Sequence, residues 1–286
     1  MMNTAQLKRR LARSRNAPLV AFPLRLKQVV TYNAAVAGRS ARWLVASREH
    51  TNFTYDLTEL NRIHLAWFVA AGTDLPVAQV RGYLDELEHD HDLRDHIRRS
   101  TLASGRAGLA DAQVRYGRRA GWYALVRALR PEHVVETGTD KGLGSCVLAA
   151  ALLRNGAGRL TTVDVNPEAG YLLGGPYREV ARLRAGDSVR TLSELAEPVD
   201  FFLHDSDHSA AHEAAELAAV EPLLWERATV LSDNARVTDE LASWAEARGH
   251  RFLFFDERPA NHWYPGAGIG LALTGRPGAE ARSYAG

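Results

Sequence analysis

Residues 134–145, VVETGTDKGLGS, gather two acidic side chains, turn glycines and three hydroxyls into one short stretch. Val134 and Val135 close a buried-strand pattern, and Gly138 and Gly142 allow the backbone to turn tightly and approach a ligand. Glu136 puts a carboxylate where a dinucleotide-binding GxGxxG turn would offer bare N–H groups to a pyrophosphate. The pattern here is ExGTxxGxxS, with Thr139 and Ser145 beside the glycines. It suits a ligand with a cationic amine and no phosphate. Among common cofactors S-adenosylmethionine (SAM) fits it, and NAD fits poorly.

Four later runs end in polar residues as well. LTTVDVNP ends in Asp164, placed to accept hydrogen bonds from ribose hydroxyls; AGDS supplies Asp187 and Ser188. HDSDH spans 204–208, and SDN supplies Asp233 and Asn234. Any one of these alone reads more simply as a helix cap or a turn. Successive strands that all deliver carboxylates to one edge are hard to explain by packing, and in open α/β sheets that edge is where ligands gather.

The elements that must position these residues follow from periodicity. From about Gly117 onward strand, turn and helix alternate, which predicts a parallel sheet covered on both faces. Strands are expected at 133–137, 159–164, 180–185, 199–204, 228–232, 251–256 and 268–274, with helices including 143–154 and 209–224. Only a short connection, DERPANHWYPGA, separates the last two strands, so they are expected to pair antiparallel. The fold class is therefore α/β, a Rossmann-like doubly wound sheet of about seven strands with an antiparallel last strand. Ahead of it, residues 1–116 read as a helical extension and 117–286 as the main domain. The extension is expected to hold helices at 4–15, 26–48, around 63–71 and at 76–99, with Pro18 and Pro23 as interruptions. The aromatic segments HTNFTYD (50–56) and HWYP (262–265) are candidates for walls of a pocket or for packing anchors.

In order and spacing, ETGTDKGLGS, TVDVNP, AGDS, VDFFLHDSDH and ATVLSDN resemble a class I SAM-dependent methyltransferase. Within that class they resemble the metal-dependent small-molecule O-methyltransferases, over a little more than half of the chain. The resemblance implies that Glu136, Gly138 and Ser145, with Thr139 and Gly142 in the same turn, surround the methionine part of SAM. Asp164 would hold the ribose, and Asp187 with Ser188 would lie by the adenine. The divalent-metal ligands would be Asp205, Asp233 and Asn234, a hard, open oxygen set suited to Mg²⁺. His208, three residues after Asp205, suits a general base because its ordinary pKa is near the operating pH. Catechol-type relatives carry lysine at this position and some macrolide-sugar methyltransferases histidine, which favours O-methylation of an acceptor other than a catechol. His204 reads as a buried supporting residue, Asp207 as a cap, an extra ligand or a solvated group, and Cys146 as a small buried residue.

The implied reaction is metal-assisted methyl transfer to a hydroxyl of a small metabolite, such as a natural-product intermediate. Composition sets its limits: the 46% apolar and 24% charged content is that of a folded chain, and one cysteine excludes an intrachain disulfide. No apolar run is long enough to span a membrane and no signal-peptide core is seen, so a cytoplasmic protein is expected. Residues 1–48 hold ten Lys/Arg and no acid, which leaves the remainder with 25 basic against 34 acidic residues. That asymmetry fits an arm docking on an acidic body in a homo-oligomer; an RNA methyltransferase using the arm is the alternative. A hydrolase built on HDSDH lacks the middle histidine of a zinc motif, and a silent SAM-binding scaffold would share every cofactor residue.

Overall fold

Runs rich in valine, leucine and phenylalanine, separated by helices, must bury both faces of a sheet, and this chain does so. The computed structural model of the protein describes residues 12, 17–49, 54–111 and 113–275. The extension contributes α1 (Ala17–Ala46), α2 (Glu59–Thr73), α3 (Val77–Glu88) and α4 (His91–Ala103). Helices α5 (Arg119–Leu129), α6 (Leu143–Asn155), α7 (Pro176–Glu179), α8 (Ser188–Ser193), α9 (Ala210–Val220) and α10 (Glu240–Ala247) follow. The strands are β1 (His133–Thr137), β2 (Arg159–Asp164), β3 (Ala181–Ala185), β4 (Val199–His204), β5 (Leu224–Asp233), β6 (Arg251–Phe255) and β7 (Ile269–Leu273).

They form one seven-stranded sheet in the order β3-β2-β1-β4-β5-β7-β6. The first five strands in that order run parallel, and β7 inserts antiparallel between β5 and β6. The expected antiparallel final pair is therefore present. Val135, Phe202, Val230, Ala272 and Phe252 stand side by side across five strands. They pack with Leu217, Val220, Leu241 and Trp244 of the covering helices. Each fully buried side chain of this size stabilises the fold by about 1.5–3 kcal/mol. Two residues further along the same face the row becomes Thr137, His204 and Ser232. The apolar core thus ends where a polar carboxyl edge begins. Helix α5 runs into β1 and so reverses direction, which brings its N-terminal residues Arg118 and Arg119 to that edge.

The chain divides into two compact units, one of α1 with Asn261–Tyr264 and the other from Arg48 onward without that tetrapeptide. In the first unit the Trp43 ring meets His262 and Trp263 edge-on, at 5.8 and 5.5 Å between centroids. The aromatic HWYP segment accordingly packs with α1.

Several boundaries differ from the sequence expectation. Pro18 and Pro23 do not break the first described helix: Pro18 sits in its first turn, and the chain continues through Pro23 with the Leu19 carbonyl deprived of its donor. The single helix expected at 76–99 is two, because Asp90 accepts a hydrogen bond from Leu93 N at 2.9 Å and caps a new helix. The helix expected to reach 224 stops at Val220, since Pro222 allows only a 3₁₀ turn, and β5 starts at once at Leu224. The helix expected at 4–15, residues 50–53 of the aromatic segment and the loose tail from 276 lie outside the described residues, apart from residue 12. Among the described residues no helix is long and apolar enough to cross a membrane.

One close approach ties β1 to β4. Gly138 has φ +87°, and a Cβ there would lie 1.9 Å from the Asp205 carbonyl oxygen. Gly138→Ala is expected to lower the unfolding free energy by about 3 kcal/mol in urea titration. Unchanged stability would contradict this contact.

Candidate active site

The turn after β1 is built on backbone geometry that glycine adopts easily, with φ +87° at Gly138 and +91° at Gly142, the N-cap of α6. Beneath it Glu136 is 1% exposed. Its Oε2 accepts hydrogen bonds from the Ser145 hydroxyl and, at 2.7 Å, from Thr162. The Thr139 and Thr162 hydroxyls are 2.6 Å apart. A third glycine matters too: a Cβ at Gly144 would stand 2.7 Å from Glu136 Oε1 and 2.9 Å from the Trp122 ring. Burial pushes the Glu136 carboxyl up to about 7, against the opposing pull of the Ser145 and Thr162 hydrogen bonds. It is poised near half-ionisation at neutral pH, so a nearby cation would draw it into the charged form.

Asp164, at the end of β2, is half-buried and accepts from Asp140 N and Asn166 N, both at 2.8 Å. These bonds aim its carboxylate across the glycine turn. The same turn is anchored from the extension, where buried Glu49 faces Lys141 Nζ at 3.4 Å. Asp187 is exposed and caps α8 by accepting from Arg190 N at 2.8 Å. Ser188 is buried, with its hydroxyl 3.1 Å from His212 Nε2. The structure thus brings Glu136, Gly138, Thr139, Gly142 and Ser145 together, with Asp164 beside them. It places Asp187 and Ser188 at the end of β3, with Ser188 turned toward α9.

After β4 and β5 the next cluster forms. One donor atom each of Asp205, His208 and Asp233 lie within 4.8 Å of one another, with His208 Nε2 at 3.9 Å from Asp205 Oδ1. Burial pushes the Asp205 carboxyl well up, and the neighbouring Asp233 carboxylate adds to this. Asp233 is held low because Arg118 forms a two-pronged ion pair with both its oxygens, which outweighs the opposing effect of burial. Arg118 also donates to the Tyr55 hydroxyl, stands 3.5 Å from Glu257 Oε1, and reaches Asn234 Oδ1 at 3.4 Å. Burial lowers the His208 pKa, so the ring is neutral at pH 7 and able to accept a proton. Its Nδ1 is buried without a hydrogen-bond partner among the described residues.

Behind this cluster Glu216 of α9 organises the end of β4. It accepts from Thr137 Oγ1 at 2.6 Å and from Ser206 Oγ at 2.7 Å, and pairs with His204 Nδ1 at 2.7 Å and His212 Nε2 at 3.0 Å. Burial would raise its pKa, but the His204 hydrogen bond and charge, with further hydrogen bonds, take it down to about 2. His204 is therefore a buried supporting residue, as its place in the strand suggests.

Residues 135–235 match the family model of a methyltransferase domain. The matched segment runs from β1 to just beyond the end of β5, and over it the chain is similar to a methyltransferase domain. The fold of this chain is shared with cofactor-bound Rv0187 from MTB, at 19% identity and a TM-score of 0.53 over 63% of this chain and 89% of that one. It is likewise shared with the O-methyltransferase TomG from Streptomyces achromogenes, involved in tomaymycin synthesis and solved with SAM. That match has 18% identity and a TM-score of 0.50 over 64% and 90% of the two chains. A Bacillus cereus O-methyltransferase in complex with SAH aligns at 16% identity and a TM-score of 0.50, over 72% and 99%. No curated protein matches the chain in sequence.

The residues at this edge fit SAM: the bare glycine turn leaves room for close approach, and Glu136 and Asp164 offer acceptors for an ammonium and for hydroxyls. A divalent ion fits this arrangement poorly. Asp205 and Asp233 are oxygen donors at suitable spacing, but Asp233 already holds a buried guanidinium, and Asn234 faces the same group. A doubly charged ion about 5 Å from Arg118 would meet about 7 kcal/mol of repulsion at an effective dielectric of about 20. That offsets much of what one carboxylate gives it. A separate cavity of about 580 Å³ lies beside Tyr116 and Gly117, floored by Leu57, Leu65, Leu84 and Leu87. None of the edge carboxylates lines it.

Sequence reasoning does not single out Arg118, Glu257, Gly144 or Glu216, and it reaches Tyr55 only as part of the aromatic segment 50–56. Nothing local marks Arg118 in an arginine-rich chain. The i, i+4 spacing of His212 and Glu216 within an alanine-rich helix was a usable signal. The depressed Glu216 pKa stabilises the fold fully above the ordinary 4.5 and loses that contribution as pH falls toward about 2. Glu216→Gln is expected to cost about 3 kcal/mol at pH 7, with the gap from wild type narrowing below pH 4.5 in acid-series urea unfolding. A gap independent of pH would contradict the assignment.

Proposed function

We propose that this methyltransferase moves the methyl group of SAM to a hydroxyl oxygen of a small acceptor such as a natural-product intermediate. The observation that carries the reading is the buried Glu136–Ser145–Thr162 nest under a bare glycine turn, with His208 at the same edge. When bound, SAM supplies an electrophilic methyl on a sulfonium and departs as a neutral thioether.

The chain's own residues do the rest. Glu136 ionises against the ammonium of the methionine part, and Asp164 accepts from the ribose hydroxyls. Ser188 and Asp187 bound the edge where the adenine would lie. His208, neutral at pH 7, takes the acceptor's hydroxyl proton as the oxygen attacks the methyl carbon. Asp205, beside it, faces the imidazolium that forms. Mg²⁺ assistance through Asp205, Asp233 and Asn234, which the family resemblance implies, would require Asp233 to release Arg118. The O-methyltransferase involved in tomaymycin synthesis among the structural relatives supports a natural-product acceptor.

The test is transfer of labelled methyl from SAM to a panel of hydroxylated metabolites. His208→Gln is expected to lower kcat by about 10²–10⁴-fold while SAM binding is kept. In the wild type kcat/KM is expected to rise with pH through the lowered His208 pKa and then level off. A His208→Gln enzyme with full turnover would refute the base assignment. SAM binding with no acceptor methylated across a broad panel would favour a SAM-binding scaffold.

A further inference from the structure

We propose that Arg118 stands in place of a divalent ion, so that the acidic edge of this methyltransferase is charge-balanced by a resident guanidinium and works without metal. The proposal rests on the methyl-transfer reading above.

Two of the three residues that would ligate an ion, Asp233 and Asn234, face the same side chain. Arg118 Nε and Nη2 take the two oxygens of Asp233, and Nη2 lies 3.4 Å from Asn234 Oδ1. Nη1 donates to the Tyr55 hydroxyl and lies 3.5 Å from Glu257 Oε1. Glu257 in turn accepts from Tyr55 and from Ala267 N at 3.0 Å, so a second carboxylate is locked around the guanidinium. The pair is enclosed, with the Arg118 side chain 8% exposed and that of Asp233 not exposed at all. A guanidinium is always charged, planar and matched to a carboxylate, and its fork holds one geometry where a hydrated ion would exchange ligands. The neighbours come from three separate places: Tyr55 from the extension, Glu257 from the connection after β6, and Asp233 from β5. Such convergence on one cation is the construction expected of a built charge site.

Arg118 is a positioning residue in this scheme. Its N–H groups are directed at Asp233, Tyr55, Glu257 and Asn234, and it holds Asp233 toward Asp205 and His208 without touching the acceptor. A consequence for substrate class follows. Metal chelation asks the acceptor for two adjacent oxygens, whereas this site asks for one hydroxyl within reach of His208. Acceptors with an isolated hydroxyl should be turned over as readily as vicinal diols.

The experiment is a Mn²⁺ titration of the full-length wild type followed by electron paramagnetic resonance, with SAM calorimetry and turnover measured in excess EDTA. The wild type is expected to leave Mn²⁺ free, to keep SAM affinity and turnover in EDTA, and to show no change in melting temperature with Mn²⁺. Arg118→Met, which frees Asp233, is expected to acquire Mn²⁺ binding and a melting temperature that rises with added Mn²⁺. Mn²⁺ binding by the wild type that is lost in Asp205→Asn, or turnover abolished by EDTA and restored by Mg²⁺, would overturn the proposal. Should Arg118→Met fail to fold, the wild-type resonance and EDTA measurements decide the matter alone. Failure of the wild type to bind SAM would refute the methyl-transfer reading, and the Mn²⁺ result would still decide what Arg118 replaces.

Discussion

Burying carboxylates at the end of a parallel sheet is the constraint on which this molecule turns. Glu136, Glu216, Asp233 and Glu257 are each 1% exposed or less. A buried carboxylate is tolerated only when it is protonated, hydrogen-bonded or paired with a cation. The chain uses all three solutions within one region. Glu136 is hydrogen-bonded and sits near half-protonation; Glu216 is ionised against His204; Asp233 is ionised against Arg118. Removing one partner of a buried pair typically costs about 3–5 kcal/mol, against a total stability of about 5–15 kcal/mol for a typical domain. The partners are therefore as much a part of the architecture as the strands.

This explains why elements distant in sequence meet at the carboxyl edge. Helix α5 must begin its reverse run where Arg118 can reach β5, and the stretch at Tyr55 must close over that pair. Helix α9 must bring Glu216 under Thr137 and His204. The glycine turn then has little freedom. Gly138 passes against the Asp205 carbonyl, and Gly144 leaves room for the Glu136 carboxyl and the Trp122 ring. Chemistry and packing share the same atoms here: the residues that hold the edge together also set the charge available to a ligand.

Much of this was legible from the residues. Strand–turn–helix alternation located all seven strands, because buried strands show apolar runs and turns show glycine and aspartate. The polar edge was legible because each of the five parallel strands ends at, or within two residues of, an acidic or hydroxyl residue. Boundaries were less so: Asp90 acts as a cap inside an apparently continuous charged helix, and Pro23 is tolerated inside α1. What stayed hidden were partners fixed by tertiary contact alone. Arg118 and Asp233 are 115 residues apart, and Tyr55 and Glu257 are 202 apart. No local pattern distinguishes such a buried arginine from one on the surface. The Asp205, Asp233 and Asn234 set, which the family resemblance implies would hold an ion, has a fourth residue at the same place, Arg118, paired with Asp233 and facing Asn234.

The central claim is that the β1 carboxylate nest receives a cationic cofactor. It is tested most directly by calorimetric titration of SAM in two buffers of different ionisation heat at about pH 6. Glu136 is raised to about 7, so binding a cation there should expel a proton. The account predicts saturable binding with release of about one proton per SAM, and loss of that release in Glu136→Gln. Absence of binding to folded wild type, or identical affinity and proton release in Glu136→Gln, would contradict it.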